Sequence, residues 1–186
     1  LMTETPLGGR LPLRWRLPNA ASIFVGRKIE SERLAAVIAR APLSLVWGLG
    51  GLGKTSLVLR VLHERFATQS DRMLFVSLRA ADASPQLTVE VTRALCAAEG
   101  IQAVDWTSLL ADEPALIETA IDLAEKGGYW LVIDDLHHGS VTATEALMRA
   151  VVRYAKNSRW IATSRIDWPM QELEGQRLAL GGLTDG

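Results

Sequence analysis

The sequence predicts an α/β fold in three layers, a mostly parallel five-stranded sheet flanked by helices on both faces, and three observations lead there. Short apolar runs of strand length alternate along the chain with segments whose apolar residues recur at helical spacing. One such run, Leu43–Trp47, enters a glycine-rich turn, Gly48 to Thr55, that leaves as a helix. Another, Tyr129–Ile133, is apolar without interruption, as a strand covered on both faces must be, and ends in the acid pair Asp134-Asp135. With 186 residues, 48% of them hydrophobic, the chain can bury one substantial core.

Residues 1–21 carry Arg10, Arg14 and Arg16 but are broken by Pro6, Pro12 and Pro18, so they read as a linker or N-terminal extension ahead of a single domain at 22–186. Starting at Leu-Met and stopping in Gly-Gly-Leu-Thr-Asp-Gly, the chain reads as a piece of a longer protein. A helix is predicted from Ser31 to Arg40, with Ile29, Leu34, Val37 and Ile38 on its apolar face and Pro42 stopping it before the first strand. Past the glycine-rich turn the helix runs to about Phe66, a polar turn follows, and Arg72–Leu78 is a second strand. Helices are expected at 85–98, briefly at 108–110, and at 115–126, where Pro114 opens the last and Gly127-Gly128 ends it. After the strand at 129–133 comes a helix from Val141 to Tyr154, with Val141, Leu147, Met148, Val151 and Val152 inward, then strands at 159–163 and 176–180.

Gly48-Leu49-Gly50-Gly51-Leu52-Gly53-Lys54-Thr55 satisfies G-x-x-x-x-G-K-[ST] at each fixed position. Four glycines in six positions free the backbone to turn successive N–H groups inward as an anion nest, and the helix beginning near Lys54 adds its positive end. The nucleotide-binding set is then Gly48, Gly50, Gly51, Leu52, Gly53, Lys54, Thr55 and Ser56, with Lys54 reaching the β- and γ-phosphates of ATP or ADP and Thr55 placed for Mg²⁺. Asp134 and Asp135 stand at a C-terminal strand tip, where open α/β sheets bind ligands, and fit a Walker B pair: Asp134 holding Mg²⁺, Asp135 orienting or deprotonating the attacking water. Arg165, at the tip of the fourth strand, could sense the γ-phosphate through its fork of donors. His137 and His138 read as loop residues, since neighbours in sequence do not easily share one metal.

Other classes recede. A net charge of -1 exerts no global pull on nucleic acid or anionic membrane, no run of eighteen apolar residues exists, and no apolar leader is present, which together point to a cytoplasmic protein. The single cysteine, Cys96, lies in an apolar helical pattern and reads as a small buried hydrophobe. Of the six tryptophans, Trp47, Trp130 and Trp160 fall in strands and read as core.

Taken together, Phe24-Val25-Gly26-Arg27 with Glu30, the Gly48–Thr55 turn, Leu131–Asp135 and Thr163-Ser164-Arg165 resemble the nucleotide-binding domain of signal-transduction ATPases with numerous domains (STAND), closest to the NB-ARC type, over about Ile23 to Leu183. The resemblance implies the additional-strand (ASCE) form of the P-loop NTPase fold, with the 159–163 strand lying between the two Walker strands. It implies that Val25, Gly26 and Arg27 lie against adenine, that Arg165 is the γ-phosphate sensor, and that Leu180–Leu183 is an exit segment. It further implies an ATP/ADP switch with slow hydrolysis that controls signalling or nucleotide-dependent homo-oligomerisation of a larger protein. The family's helical, winged-helix and repeat domains do not occur in this sequence. Two rival readings stand beside it: a DNA-associated AAA-type ATPase, and a nucleotide-binding scaffold without turnover.

Overall fold

The computed structural model describes residues 11–21, 26–78 and 86–182. Five strands, β1 (Leu43–Trp47), β2 (Met73–Ser77), β3 (Trp130–Asp134), β4 (Arg159–Ser164) and β5 (Arg177–Ala179), form one sheet in the order β2-β3-β4-β1-β5. Every pairing is parallel. β4 thus lies between β1 and β3, as expected of the additional-strand form, and its register sets Trp47 opposite Ser164 and Ile133 opposite Ala162. The C-terminal tips of β1, β3 and β4 therefore end side by side.

The helices are α1 (Lys28–Arg40), α2 (Lys54–Arg65), α3 (Leu87–Ala98), α4 (Trp106–Leu110), α5 (Glu113–Gly127) and α6 (Val141–Tyr154). Because side chains alternate across a strand, each central strand feeds two cores. Leu131 and Ile133 of β3, with Trp160 and Ala162 of β4, pack under α3, α5 and α6; Val132 and Ile161 pack under α1 and α2. This is why the strands read as continuous apolar runs rather than alternating ones. Trp160 is 1% exposed and donates its indole N–H to Ser158 Oγ, so it is a core residue as expected.

Element ends agree with the sequence reading to within two residues, except that α1 begins three residues earlier than expected, at Lys28 rather than Ser31. Asp112 accepts the Ala115 N–H at the start of α5, and Gly128, at φ 60°, closes it in the left-handed conformation. Two inward assignments are corrected: Ile29 and Val141 are 64% and 57% exposed, whereas Val152 is half-buried and packs against the core. Ile29 and Val141 occupy the first turns of their helices, ahead of the buried stripes that begin at Leu34 and Thr144. The segment read as a linker is, over residues 11–21, folded onto the domain. Leu13–Trp15 makes a single 3-10 turn, Trp15 is buried in the α3 side core, and Arg16 bridges Leu74 antiparallel at the β2 edge of the sheet. None of the described helices is long and apolar enough to cross a membrane.

Candidate functional site

The turn between β1 and α2 is shaped by two glycines. Gly53 holds φ 80° as the residue before α2, a conformation that disfavours a side chain. At Gly48 a Cβ would stand 2.4 Å from the carbonyl oxygen of Leu180, which follows β5 and donates its own N–H to Trp47 O. The loop is thereby clamped between β5 and the start of α2. Lys54, 7% exposed, is folded back over it and donates to the carbonyl oxygens of Gly48 (2.8 Å) and Leu49 (2.7 Å). Burial pulls its ammonium below the usual lysine range; Asp135 and Asp134 push it back up and Arg165 pulls it down again.

Thr55 Oγ1 donates to Asp134 Oδ1 at 2.5 Å, joining the first turn of α2 to the tip of β3 across 79 positions of sequence. The same carboxylate oxygen accepts Thr163 Oγ1–H at 2.7 Å, and the Thr163 hydroxyl in turn accepts the Asp135 N–H at 3.1 Å. Two hydroxyls on one oxygen fix the orientation of the Asp134 carboxylate. Asp135, 9% exposed, has φ 59°, the one described non-glycine residue at positive φ. Asp tolerates that region better than bulkier residues, and strain there tends to gather at functional sites.

Arg165 projects from the tip of β4 over the glycine-rich turn, its guanidinium carbon 3.3 Å from where a Cβ on Gly50 would be. Its backbone N–H donates to His137 Nδ1 at 3.2 Å. Arg27, 5% exposed, donates to Leu52 O (3.2 Å) and pairs with Glu30 (3.1 Å), fastening the turn before α1 to the phosphate-loop candidate. Gly26 and Arg27 also line a groove of about 200 Å³ between α1 and α2. Val25 and Leu183 lie outside the described residues. Gly51 and Leu52 complete the loop, and Ser56 is half-buried in the first turn of α2.

Two residues of this cluster were given no role of their own in the reading of the sequence. Thr163 was legible in principle: once β4 pairs with β3 in register, the residue after Ala162 stands beside Asp134. His137 was set aside with His138, yet it buttresses Arg165, and burial first, then His138, pulls its ring below the usual histidine range. Asp135, His137 and His138 bring one possible ligand atom each to within 4.8 Å of one another. Because His137 Nδ1 accepts an N–H, however, the neutral ring carries its proton on Nε2, which is buried and unpartnered. That tautomer is unsuited to a metal and suited to donating a hydrogen bond.

The oxygen donors at Thr55 and Asp134 form the hard set that Mg²⁺ prefers. The remaining groups are cations and donors turned toward the same loop, the arrangement needed to hold a polyphosphate.

Comparison with known proteins places the fold. The chain is similar to the regulatory protein AfsR of Streptomyces coelicolor, at 29% identity over 117 residues, covering 58% of this chain and 12% of that protein. Among solved structures it superposes on a STAND protein with a tetratricopeptide repeat sensor from Pyrococcus horikoshii, at TM-score 0.61 and 17% identity, over 92% of this chain and 25% of that one. It also superposes on Cdc6p from Pyrobaculum aerophilum at TM-score 0.63 and 11% identity, over 92% and 47% of the two chains. The model of the AAA ATPase domain matches residues 23–161, and this chain therefore belongs to the AAA ATPase domain family.

Proposed function

We propose that the chain is an ATP/ADP-binding switch domain with slow Mg²⁺-dependent ATP hydrolysis, working inside a larger regulatory protein of the STAND type. One observation carries the reading: Thr55 and Asp134 meet at 2.5 Å beneath a loop that Lys54 caps and Arg165 overhangs, so that three distant stretches of sequence converge on one spot.

In this reading the loop amides from Gly48 to Thr55 and the Lys54 ammonium cradle the phosphates, and Val25, Gly26 and Arg27 flank the base. Thr55 and Asp134 would hold Mg²⁺, which would supply charge neutralisation to the phosphates. Asp135, whose backbone Thr163 fixes, orients the attacking water. Arg165, steadied by His137, contacts the γ-phosphate and distinguishes ATP from ADP. Catalysis rests on positioning and charge, and a single overhanging guanidinium makes it slow, since an arginine supplied by a partner adds ~10³ to 10⁵ in turnover.

The test is a nucleotide titration followed by thermal unfolding. ATP or ADP at ~100 times its dissociation constant adds about 2.7 kcal/mol to the parent chain, and Lys54→Ala removes that gain. A melting temperature unmoved by either nucleotide, with Lys54→Ala behaving as the parent does, refutes the proposal.

A further inference from the structure

The two helices that bracket β3 in sequence, α5 before it and α6 after it, leave between them an open groove of about 660 Å³. Its floor is apolar: Ile117 and Ile121, one turn apart on α5, stand across from Ala146, Ala150 and Tyr154, which follow one another at one-turn spacing on α6. Ile117, Ala146 and Ala150 are half-buried, and Tyr154 is 56% exposed. The two alanines keep the α6 wall low, so a further helix can approach to ordinary packing distance. The charged lining belongs to α5 alone. Glu118 and Asp122, also one turn apart, are exposed, and among the described residues neither takes part in an ion pair or hydrogen bond. Glu125, the third carboxylate of the lining, is committed to the turn into β4. Nearby cations do not offset the free pair: Lys126 reaches Glu99, Arg149 pairs with Glu145 and Glu172, Arg153 lies over the Tyr154 ring, and none of the three lines the groove.

We infer that this groove binds a basic amphipathic helix presented by a partner protein, with the helix's apolar stripe on the isoleucine, alanine and tyrosine floor and its cations along one flank against Glu118 and Asp122. Charge complementarity selects the occupant. A carboxylate rim repels nucleic-acid phosphates and acidic peptides, and an apolar floor gives a wholly polar basic segment nothing to bury. A helix meets both demands, because residues at i, i+3, i+4 and i+7 form a stripe that lies along the groove while cations one turn apart sit beside it. The apolar contact supplies affinity, and the one-sided rim speeds encounter and fixes the face that the helix presents. None of the lining residues belongs to the candidate nucleotide site, so the inference stands apart from the switch reading.

The experiment is fluorescence anisotropy of the full chain with labelled helical peptides of about four turns, stapled so that helix formation costs nothing on binding. Two carry a leucine stripe with lysines and arginines on one flank or on the other, which covers both directions in which a helix can lie. Two controls have the same composition in scrambled order, or glutamates in place of the cations. The parent binds at least one basic amphipathic peptide, and more weakly as salt is raised. It binds both controls at least about tenfold less tightly. Glu118→Gln with Asp122→Asn weakens binding about tenfold by removing the rim charge, and Ala150→Phe weakens it as much by filling the floor without changing any charge. Unchanged melting temperatures show that both variants fold. Failure of the parent to bind either basic peptide overturns the inference. So does equal binding of the scrambled peptide, which would mean attraction by charge alone, and so does binding that neither variant weakens. Concentration-dependent sedimentation of the chain alone that both variants abolish also overturns it, since a second copy would then be the occupant.

Discussion

Both ends of the sheet gather carboxylates, and they treat them oppositely. At the N-terminal end, Glu125 of α5 accepts the backbone N–H groups of Lys156, Asn157 and Ser158 and the Ser158 hydroxyl, so one side chain caps the whole turn into β4. The polar requirement there is met from within the fold. At the C-terminal end, Lys54 is buried against loop carbonyls with its ammonium disfavoured, Asp135 occupies the left-handed region, and His137 Nε2 is buried without a partner. Closed networks stabilise; open ones hold groups ready for something that is not protein. The difference lies in the donors: Glu125 is held by the backbone N–H groups of one turn, whereas Asp134 is held by the hydroxyls of Thr55 and Thr163, which can rotate toward a ligand.

The contrast is broken most sharply at Asp135. Asparagine also tolerates positive φ, so Asp135→Asn preserves the backbone while removing the charge and the proton acceptor. Turnover is expected to fall by roughly 10² or more, with nucleotide still raising the melting temperature as in the parent. Single-turnover hydrolysis beside a thermal titration checks both halves; equal turnover in the two proteins removes Asp135 from the chemistry. Glu125→Ala is the mirror experiment. Loss of charge-assisted hydrogen bonds to the β4 turn costs about 2 kcal/mol, or roughly 4–8 °C in melting temperature, while the shift produced by nucleotide stays that of the parent. A Glu125 variant that weakened nucleotide binding as much as folding would erase the distinction between the two ends.

How far this was legible in the sequence follows the same division. The glycine-rich turn, Lys54, Thr55 and the acid pair announce themselves because their chemistry demands fixed residue types at fixed short spacing. The strand order was reached only through the motifs taken together, since periodicity says which runs are buried but not which neighbour each one pairs with. Thr163 and His137 were passed over because their work depends on register and on a backbone N–H from another strand, neither of which local pattern carries. Ile29 and Val141 were placed inward by helical spacing alone, which cannot tell where along a helix its packing partner begins. Residues 11–21 read as linker because prolines and arginines mark them so, yet Trp15 is buried in the core and Leu11, Leu17 and Ala20 pack beside it on the two cores.

The subtlest separation of the two ends lies in pH. Burial pushes the Glu125 carboxyl up, but hydrogen bonds from Asn157, Ser158 and Lys156 outweigh it and hold the group below its ordinary value of 4.5. A carboxyl lowered by folding contributes stability that is fully present above the unfolded value and lost as pH falls through the folded one. Lys54 has the opposite sign: its ammonium is disfavoured by burial, so at neutral pH it burdens the unliganded fold, a burden relieved only as pH rises toward the ordinary lysine value of 10.5. The stability gap between the parent and Glu125→Gln, measured by urea unfolding, is therefore expected to be flat from neutral pH down to about 4.5 and to shrink below it. Neither the Lys54 nor the His137 end follows that acid profile, because the lowered groups there are bases. A gap that stays constant to pH 3 would mean that Glu125 is held by shape rather than by charge, and the closed end of the sheet would then owe its stability to packing alone.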